Sequence, residues 1–129
     1  MGAVSLPHLR WLPDHLAVCR FDPQMTLPPA VWEGSFLSIT RTAAELSLVL
    51  PEAQVQPGWQ AEGGWRALQV IGPLEFSLTG ILSQLSAPLA EAGIPIFAIS
   101  TYDTDYLLVR EGDVEQAQAA LAAAGWVME

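Results

Sequence analysis

The sequence predicts an α+β fold of two β-α-β-β-α-β units in tandem, of which the N-terminal one is degenerate. Two helical patterns alternate with short apolar segments in residues 65–129. A similar strand-turn-strand segment occurs around Phe36–Thr40 and again around Phe97–Thr101. Of the 129 residues, 51% are apolar and 15% are charged, which is the composition of a globular domain with a sizeable core.

The charge and the cysteine content exclude several classes of function. Fourteen Asp and Glu face five Arg, lysine is absent, and the formal charge is -9. Such a surface repels phosphate groups, so neither nucleic acid nor an anionic membrane is an expected partner. Cys19, the single cysteine, is expected to be a small core residue, which fits a reducing compartment. With no secretion signal and no apolar run of membrane-spanning length, we expect a cytoplasmic location.

The N-terminal half is predicted to hold an irregular arm and a reduced unit. Residues 1–14 contain Pro7 and Pro13 without a clear period and predict an irregular arm. Residues 15–64 predict a degenerate unit with a first strand over 15–21 and a hairpin over 36–40 and 45–50. Closely spaced prolines leave room for only one or two helical turns after the first strand. A glycine-rich and proline-rich stretch over 52–64 is interpreted as a linker that ends this unit.

Residues 65–129 predict the complete unit. Ser77 is the expected N-cap of a first helix, whose apolar residues recur at helical spacing, and Gly93 is the expected end of that helix. A second helix is expected after Asp113, with Gly125 as its end. Ile94–Ile99 is apolar at nearly every position, which predicts a strand buried on both faces. The expected strands are 65–71, 94–100, 105–110 and 126–128. This order is the ferredoxin-like pattern, a four-stranded antiparallel sheet with both helices on one face.

The two hairpins indicate an internal duplication. Phe36-x-x-x-Thr40 matches Phe97-x-x-x-Thr101, and each is followed by a turn, an acidic residue and an apolar pair. In the first copy both helices have little room. Short periodic matches also arise between unrelated hairpins, so the duplication is a hypothesis.

These residues resemble a known family. Ser77-Leu-Thr-Gly80-Ile-Leu82 resembles the motif that opens the first helix of an ACT domain, in which Asp or Asn precedes two residues, Gly and two apolar residues. Ser77 departs from that motif, whereas Gly80 matches it. Segments 36–47, 76–82 and 96–106 resemble the small bacterial tandem-ACT proteins, which are similar to the ACT units of animal cytosolic arginine sensors. The resemblance implies two ACT units per chain, an amino-acid ligand at the interface between the units, and no catalysis.

An amino-acid ligand would need donors for its carboxylate and acceptors for its ammonium group. Backbone amides at the start of the first helix are unpaired and lie at the positive end of the helix dipole. The carboxylates or carbonyl groups of the second hairpin turn can accept from the ammonium group. The predicted ligand-binding residues are Ser77, Leu78, Thr79, Gly80, Ser100, Thr101, Asp103, Thr104 and Asp105. The alternative is that Ser77 is a plain helix cap and that the turn residues only form a turn.

Other kinds of site have weaker support. Asp103-x-Asp105 supplies only two carboxylates, which is a weak signal for a metal. His8 and His15 lack the surroundings of a catalytic base, so we expect no enzyme activity, no metal and no cofactor. The expected partners are a free amino acid or a similar small ligand and, in addition, a second copy or another protein. The alternative function is a ligand-free protein-interaction or scaffold module, since exposed sheet edges can dock on a partner.

Overall fold

A computed structural model of the chain describes residues 7–71 and 80–129. The described part contains seven strands and two α-helices, together with single-turn 3-10 helices at Pro29–Glu33, Glu52–Gln54 and Glu111–Asp113. The bounds are β1 His8–Phe21, β2 Ser38–Arg41, β3 Leu46–Pro51, β4 Gln60–Val70, α1 Ile81–Glu91, β5 Phe97–Ser100, β6 Asp105–Arg110, α2 Val114–Ala123 and β7 Val127–Met128. The α+β class is therefore confirmed.

The chain divides into two compact units. One consists of Pro13–Trp65, and the other combines the described residues up to Leu12 with those from Arg66 to Glu129. We call them the N-terminal unit and the C-terminal unit. Each unit has a hydrophobic core of its own.

In the N-terminal unit the strands pair in the order β2-β3-β1, and β4 is the next neighbour of β1. β1 and β3 are antiparallel, with Leu16 opposite Pro51 and Phe21 opposite Leu46. The predicted hairpin is confirmed, since β2 and β3 pair antiparallel. Prolines restrict the connection between β1 and β2 to one 3-10 turn, as expected. The core cluster of this unit is Ala17, Cys19, Val31, Leu46, Leu48 and Leu50.

In the C-terminal unit the strands pair in the order β1-β4-β6-β5, and β7 lies on β1. β5 and β6 form the second predicted hairpin, with Phe97 opposite Leu108 and Ser100 opposite Asp105. Both helices cover the same face of these strands, because their buried residues share one core cluster. That cluster is Leu9, Leu68, Val70, Leu85, Leu89, Ile94, Leu107, Val109, Ala117, Leu121 and Trp126.

Glycines end both helices of the C-terminal unit by the same mechanism. Gly93 and Gly125 have positive φ angles of 74° and 100°. After α1 the N–H groups of Gly93 and Ile94 donate to the carbonyls of Ala90 and Leu89, at 3.0 and 2.9 Å. Gly125 and Trp126 repeat this pattern after α2, and the double bond is a Schellman motif. The predicted helix ends are confirmed.

The predicted irregular arm is wrong over its described residues. His8 is the first residue of β1, which continues through Pro13 to Phe21. Leu9 is fully buried in the core of the C-terminal unit, and β7 pairs parallel to it with His8 opposite Val127 and Leu9 opposite Met128. The last strand therefore pairs with the first strand of the chain, instead of completing a sheet made from residues 65–129 alone.

Two further predictions need correction. The linker over 52–64 is shorter than expected because β4 already begins at Gln60, and Gly64 lies inside this strand with a φ of 77°. The second concerns Ile94–Ile99, which is not buried on both faces. β5 is the last strand in the pairing order and has one strand neighbour, so Ile96 and Ala98 are exposed and Phe97 is half-buried.

Candidate functional site

The start of α1 is set by Gly80. Its φ and ψ angles are 80° and -2°, a left-handed conformation that no residue of an α-helix adopts, so the helix begins only at Ile81. The first bond of the helix runs from the Gln84 N–H to the Gly80 carbonyl at 2.8 Å. Gly80, and not Ser77 as predicted, is therefore at the N-cap position. Ser77, Leu78 and Thr79 lie outside the described residues.

This helix start presents backbone donors for which the helix itself has no acceptor. The N–H groups of Ile81, Leu82 and Ser83 precede the first helical hydrogen bond, so the helix itself offers them no acceptor. They lie at the positive end of the helix dipole, where an anionic group is stabilised. Gly80 is exposed and has no Cβ, which leaves the backbone open to close approach.

The turn between β5 and β6 is held by its own polar groups. The Thr101 N–H and the Thr101 Oγ1 both donate to the Thr104 carbonyl oxygen, at 2.8 and 3.1 Å. In return, the Thr104 N–H donates to Thr101 Oγ1 at 3.3 Å. Ser100 Oγ donates to Asp105 Oδ1 at 2.6 Å across the base of the hairpin. Asp103 is exposed at the tip. The predicted turn residues therefore lie together, with two carboxylates available to accept.

Thr104 attaches this turn to the neighbouring strand. Its side chain is buried, with 5% exposed, and its Oγ1 donates to the carbonyl oxygen of Val70, the last residue of β4. The turn and the end of β4 thus lie together in the C-terminal unit, which also contains the start of α1.

The structure also contains a cavity that the sequence did not predict. It lies within the N-terminal unit and has a volume of about 570 Å³. Its lining comes from the middle of β1, from the connection before β2 and from the end of β3 with the 3-10 turn that follows. The lining residues are Pro13, Asp14, His15, Gly34, Ser35, Pro51, Glu52, Ala53 and Gln54. These segments are far apart in sequence and carry no motif, so only the fold reveals their proximity.

The described residues offer neither a metal cluster nor a membrane-spanning helix. Within 7–71 and 80–129, no group of three or more His, Cys, Asp or Glu side chains is arranged to hold a metal ion. No helix in this part of the chain is both long and apolar enough to span a membrane.

Comparison with known proteins identifies relatives for both halves of the chain. The sequence profile of the ACT domain matches residues 60–123, and a profile described as an N-terminal domain matches residues 14–64. The cytosolic arginine sensor of Homo sapiens is 41% identical over 131 aligned residues, which cover 93% of this chain and 38% of that protein. The chain spans between 30% and 56% of the length of the first curated relatives.

Solved structures share the fold. A crystal structure of a protein from Agobacterium tumefaciens superposes with a TM-score of 0.90 at 35% identity and covers 98% of this chain and 94% of that one. The ligand-free regulatory subunit of aspartate kinase from Thermus thermophilus superposes with a TM-score of 0.63 at 10% identity, covering 94% of this chain and 99% of that one.

Proposed function

Because the chain belongs to the ACT domain family, we propose that it is a non-catalytic regulatory module that binds a free amino acid or a similar small ligand. The observation that carries this proposal is that one unit, the C-terminal one, contains both a helix start at a left-handed Gly80 and an acidic β5–β6 turn that Thr104 holds against the end of β4. One relative is named a cytosolic arginine sensor, and a structural neighbour is the regulatory subunit of an amino-acid kinase.

The chemistry of these two segments suits a zwitterion. The N–H groups at the start of α1, for which the helix has no acceptor, would receive the ligand carboxylate. Asp103 and Asp105 would accept from the ammonium group or from a guanidinium group of the ligand side chain. Each charge-assisted hydrogen bond would contribute about 1.5–3 kcal/mol. Arginine is the first ligand to test, since it combines a carboxylate with two cationic groups and is the ligand in the relative's name.

Several parts of the sequence-based hypothesis remain predictions. They are the contacts of Ser77, Leu78 and Thr79, the placement of the ligand between the two units, and the cytoplasmic location. Support for a tandem arrangement comes from the element order. β1, a 3-10 turn, β2, β3, a second 3-10 turn and β4 follow one another, and β4, α1, β5, β6, α2 and β7 repeat this order. In each series the second hairpin strand pairs with the first strand of the series: β3 pairs with β1, and β6 pairs with β4.

Thermal unfolding in the presence of each of the twenty amino acids tests the proposal. A ligand at 100 times its dissociation constant adds about 2.7 kcal/mol to the free energy of unfolding, which raises the melting temperature by several degrees. We expect at least one amino acid, arginine foremost, to produce this shift. Gly80→Val should remove the response, because a β-branched residue cannot adopt the left-handed conformation without strain. Gly112→Ala, at a glycine with open space around it, is the matched control. No shift with any amino acid would contradict the proposal.

A protein-interaction module is the second candidate, and the exposed aromatic residues favour it. Trp32 is 70% exposed in the N-terminal unit, and Tyr102 is 81% exposed at the tip of the β5–β6 turn. Aromatic residues at a surface are common anchors of protein interfaces. In that case amino acids would leave the melting temperature unchanged, whereas Trp32→Ser or Tyr102→Ser would weaken self-association or capture of a partner in sedimentation experiments.

A further inference from the structure

We propose that the cavity of the N-terminal unit is a binding site for a small organic cation with an aliphatic chain, such as a linear diamine. The site lies wholly within Pro13–Trp65 and uses none of the residues assigned to amino-acid binding. The proposal therefore goes beyond the proposed function and does not rest on it.

The size and the walls of the cavity fit such a ligand. Its volume of about 570 Å³ is within the range of sites for small molecules. Pro13, Pro51 and Ala53 supply apolar surface that can pack against methylene groups. The polar groups of the lining come from three separate segments of the chain.

The acidic and amide groups of the lining are held in place by neighbours. Ser35 Oγ donates to Asp14 Oδ2 at 2.5 Å, which fixes one oxygen of this carboxylate. Glu52 Oε1 accepts from the Gly64 N–H at 2.7 Å. Gln54 Nε2 donates to the Ala30 carbonyl at 2.8 Å. Each bond orients its side chain without using all of its accepting atoms, which is the arrangement of a preorganised site.

Gln54 supplies an acceptor without a partner. Its Oε1 atom is buried and makes no hydrogen bond among the described residues. A buried carbonyl oxygen without a donor is costly, and because this oxygen is enclosed against Gly34, a ligand N–H group could reach it only after a shift of the amide. Gly34 permits this position, because a Cβ atom on Gly34 would overlap the Gln54 amide. A Cβ on Gly63 would likewise overlap the carboxylate of Glu52.

The charge of the lining selects a cation. Asp14 and Glu52 contribute two carboxylates, no arginine lines the cavity, and the chain contains no lysine. An anionic ligand would meet two like charges, whereas an ammonium or guanidinium group meets two carboxylates; the imidazole of His15 also lines the cavity. Two carboxylates supplied by different segments can receive the two ends of a linear diamine.

Calorimetric titration of the whole chain with putrescine, a linear diamine, tests the proposal. We expect one molecule to bind per chain and succinate, a dianion of similar length, to give no heat. Asp14→Asn and Glu52→Gln should each weaken putrescine binding by about tenfold or more, since each removes one charge-assisted bond. Glu33→Gln makes the same charge change at an exposed neighbour outside the lining and should weaken binding by less than about twofold.

Three results would overturn the proposal: no heat with putrescine at millimolar concentration, equal binding of succinate, or a Glu33→Gln effect as large as that of Asp14→Asn. A large effect of Glu33→Gln would mean that putrescine is attracted to the acidic surface in general and not to this cavity. Circular dichroism identifies variants that fail to fold. Gly34→Ala is a second test of the site: its methyl group must displace the Gln54 amide, so putrescine binding should weaken although both carboxylates remain. Gly80→Val should leave putrescine binding intact, so failure at this site and failure at the amino-acid site are distinguishable.

Discussion

Thr104 Oγ1 donates a hydrogen bond to the backbone carbonyl oxygen of Val70 and thereby holds the β5–β6 turn against the end of β4. Thr104 is the buried polar side chain of the described residues, while the other polar residues of the turn are exposed or half-buried. The bond satisfies a carbonyl group that the packing around the sheet end shields from water. The geometry of the proposed amino-acid site therefore depends on a residue that faces the interior.

Thr104→Val should destabilise the chain. Valine has the shape of threonine but cannot donate, so the Val70 carbonyl loses its partner, and we expect the free energy of unfolding to fall by about 1–3 kcal/mol. Urea unfolding measures this change. Thr40→Val, at an exposed position of β2, is the control and should change stability by less than about 0.5 kcal/mol. Equal effects at both positions would contradict the role assigned to the bond.

Gly80→Ala should be costly although there is space for the methyl group. The nearest atom to an added Cβ would be Gln84 Nε2 at 3.4 Å, an ordinary contact. The cost comes from the φ of 80°, since a left-handed residue other than glycine loses about 1–2 kcal/mol. Gly112→Ala should be close to neutral, because Gly112 has no positive φ and no atom within 4 Å. Chemical unfolding of both variants separates backbone strain from packing.

Cys19 should be unreactive in the folded chain. Burial raises the pKa of its thiol above the ordinary value of 9.0, and only 1% of the residue is exposed. Native protein should therefore react with a thiol reagent only as fast as it unfolds. Above pH 9.0 the unfolded chain binds fewer protons than the folded chain, so the stability from the buried thiol is present below that pH and is lost as the pH rises through the folded pKa. Cys19→Ala has no thiol, so the difference between the two proteins in the free energy of unfolding isolates the contribution of the thiol. If that free energy depended on pH in the same way in both proteins, the expectation would be contradicted.

Arg66→Met should destabilise the C-terminal unit. The guanidinium group of Arg66 donates to the Leu12 carbonyl at 3.2 Å, lies 3.3 Å from Glu111 Oε2 and stands 6.0 Å from the centre of the Trp11 ring. Glu111 is 52% exposed, so water screens this ion pair and Glu111→Gln should cost less than about 1 kcal/mol. Loss of the whole side chain should cost about 1–3 kcal/mol. Arg41→Met, at an exposed position, should be neutral in the same unfolding assay.

Local signals in the sequence predicted the helix ends and the hairpins, because those features depend on a few adjacent residues. Gly93 and Gly125 end their helices through the left-handed conformation that glycine favours, and the two hairpins follow from apolar segments on either side of polar turns. The predicted N-cap of α1 was wrong. Ser77 is a good cap by residue type, but the left-handed backbone of Gly80 decides where the helix can begin.

Features that depend on distant residues could not be predicted in this way. The start of β1 was not predicted, because Pro7 and Pro13 indicated irregular structure there. Nothing near Leu9 in the sequence indicates that its pairing partner is Met128. The cavity of the N-terminal unit was missed for the same reason, because Asp14, Ser35 and Gln54 carry no common motif. The residues of the β5–β6 turn are adjacent in sequence, so sequence patterns alone could place them in one turn, whereas their role in ligand binding stays a prediction.

The pairing of β7 with β1 joins opposite ends of the described chain. Leu9 lies opposite Met128, the Glu129 N–H donates to the Leu9 carbonyl at 2.8 Å, and the His8 ring nitrogen Nδ1 lies 2.8 Å from Glu129 Oε2. Unpairing of residues 127–129 would thus leave one edge of β1 at His8 and Leu9 without a strand neighbour, while β4 still holds the other edge through the bond from the Ile71 N–H to the His8 carbonyl at 2.8 Å.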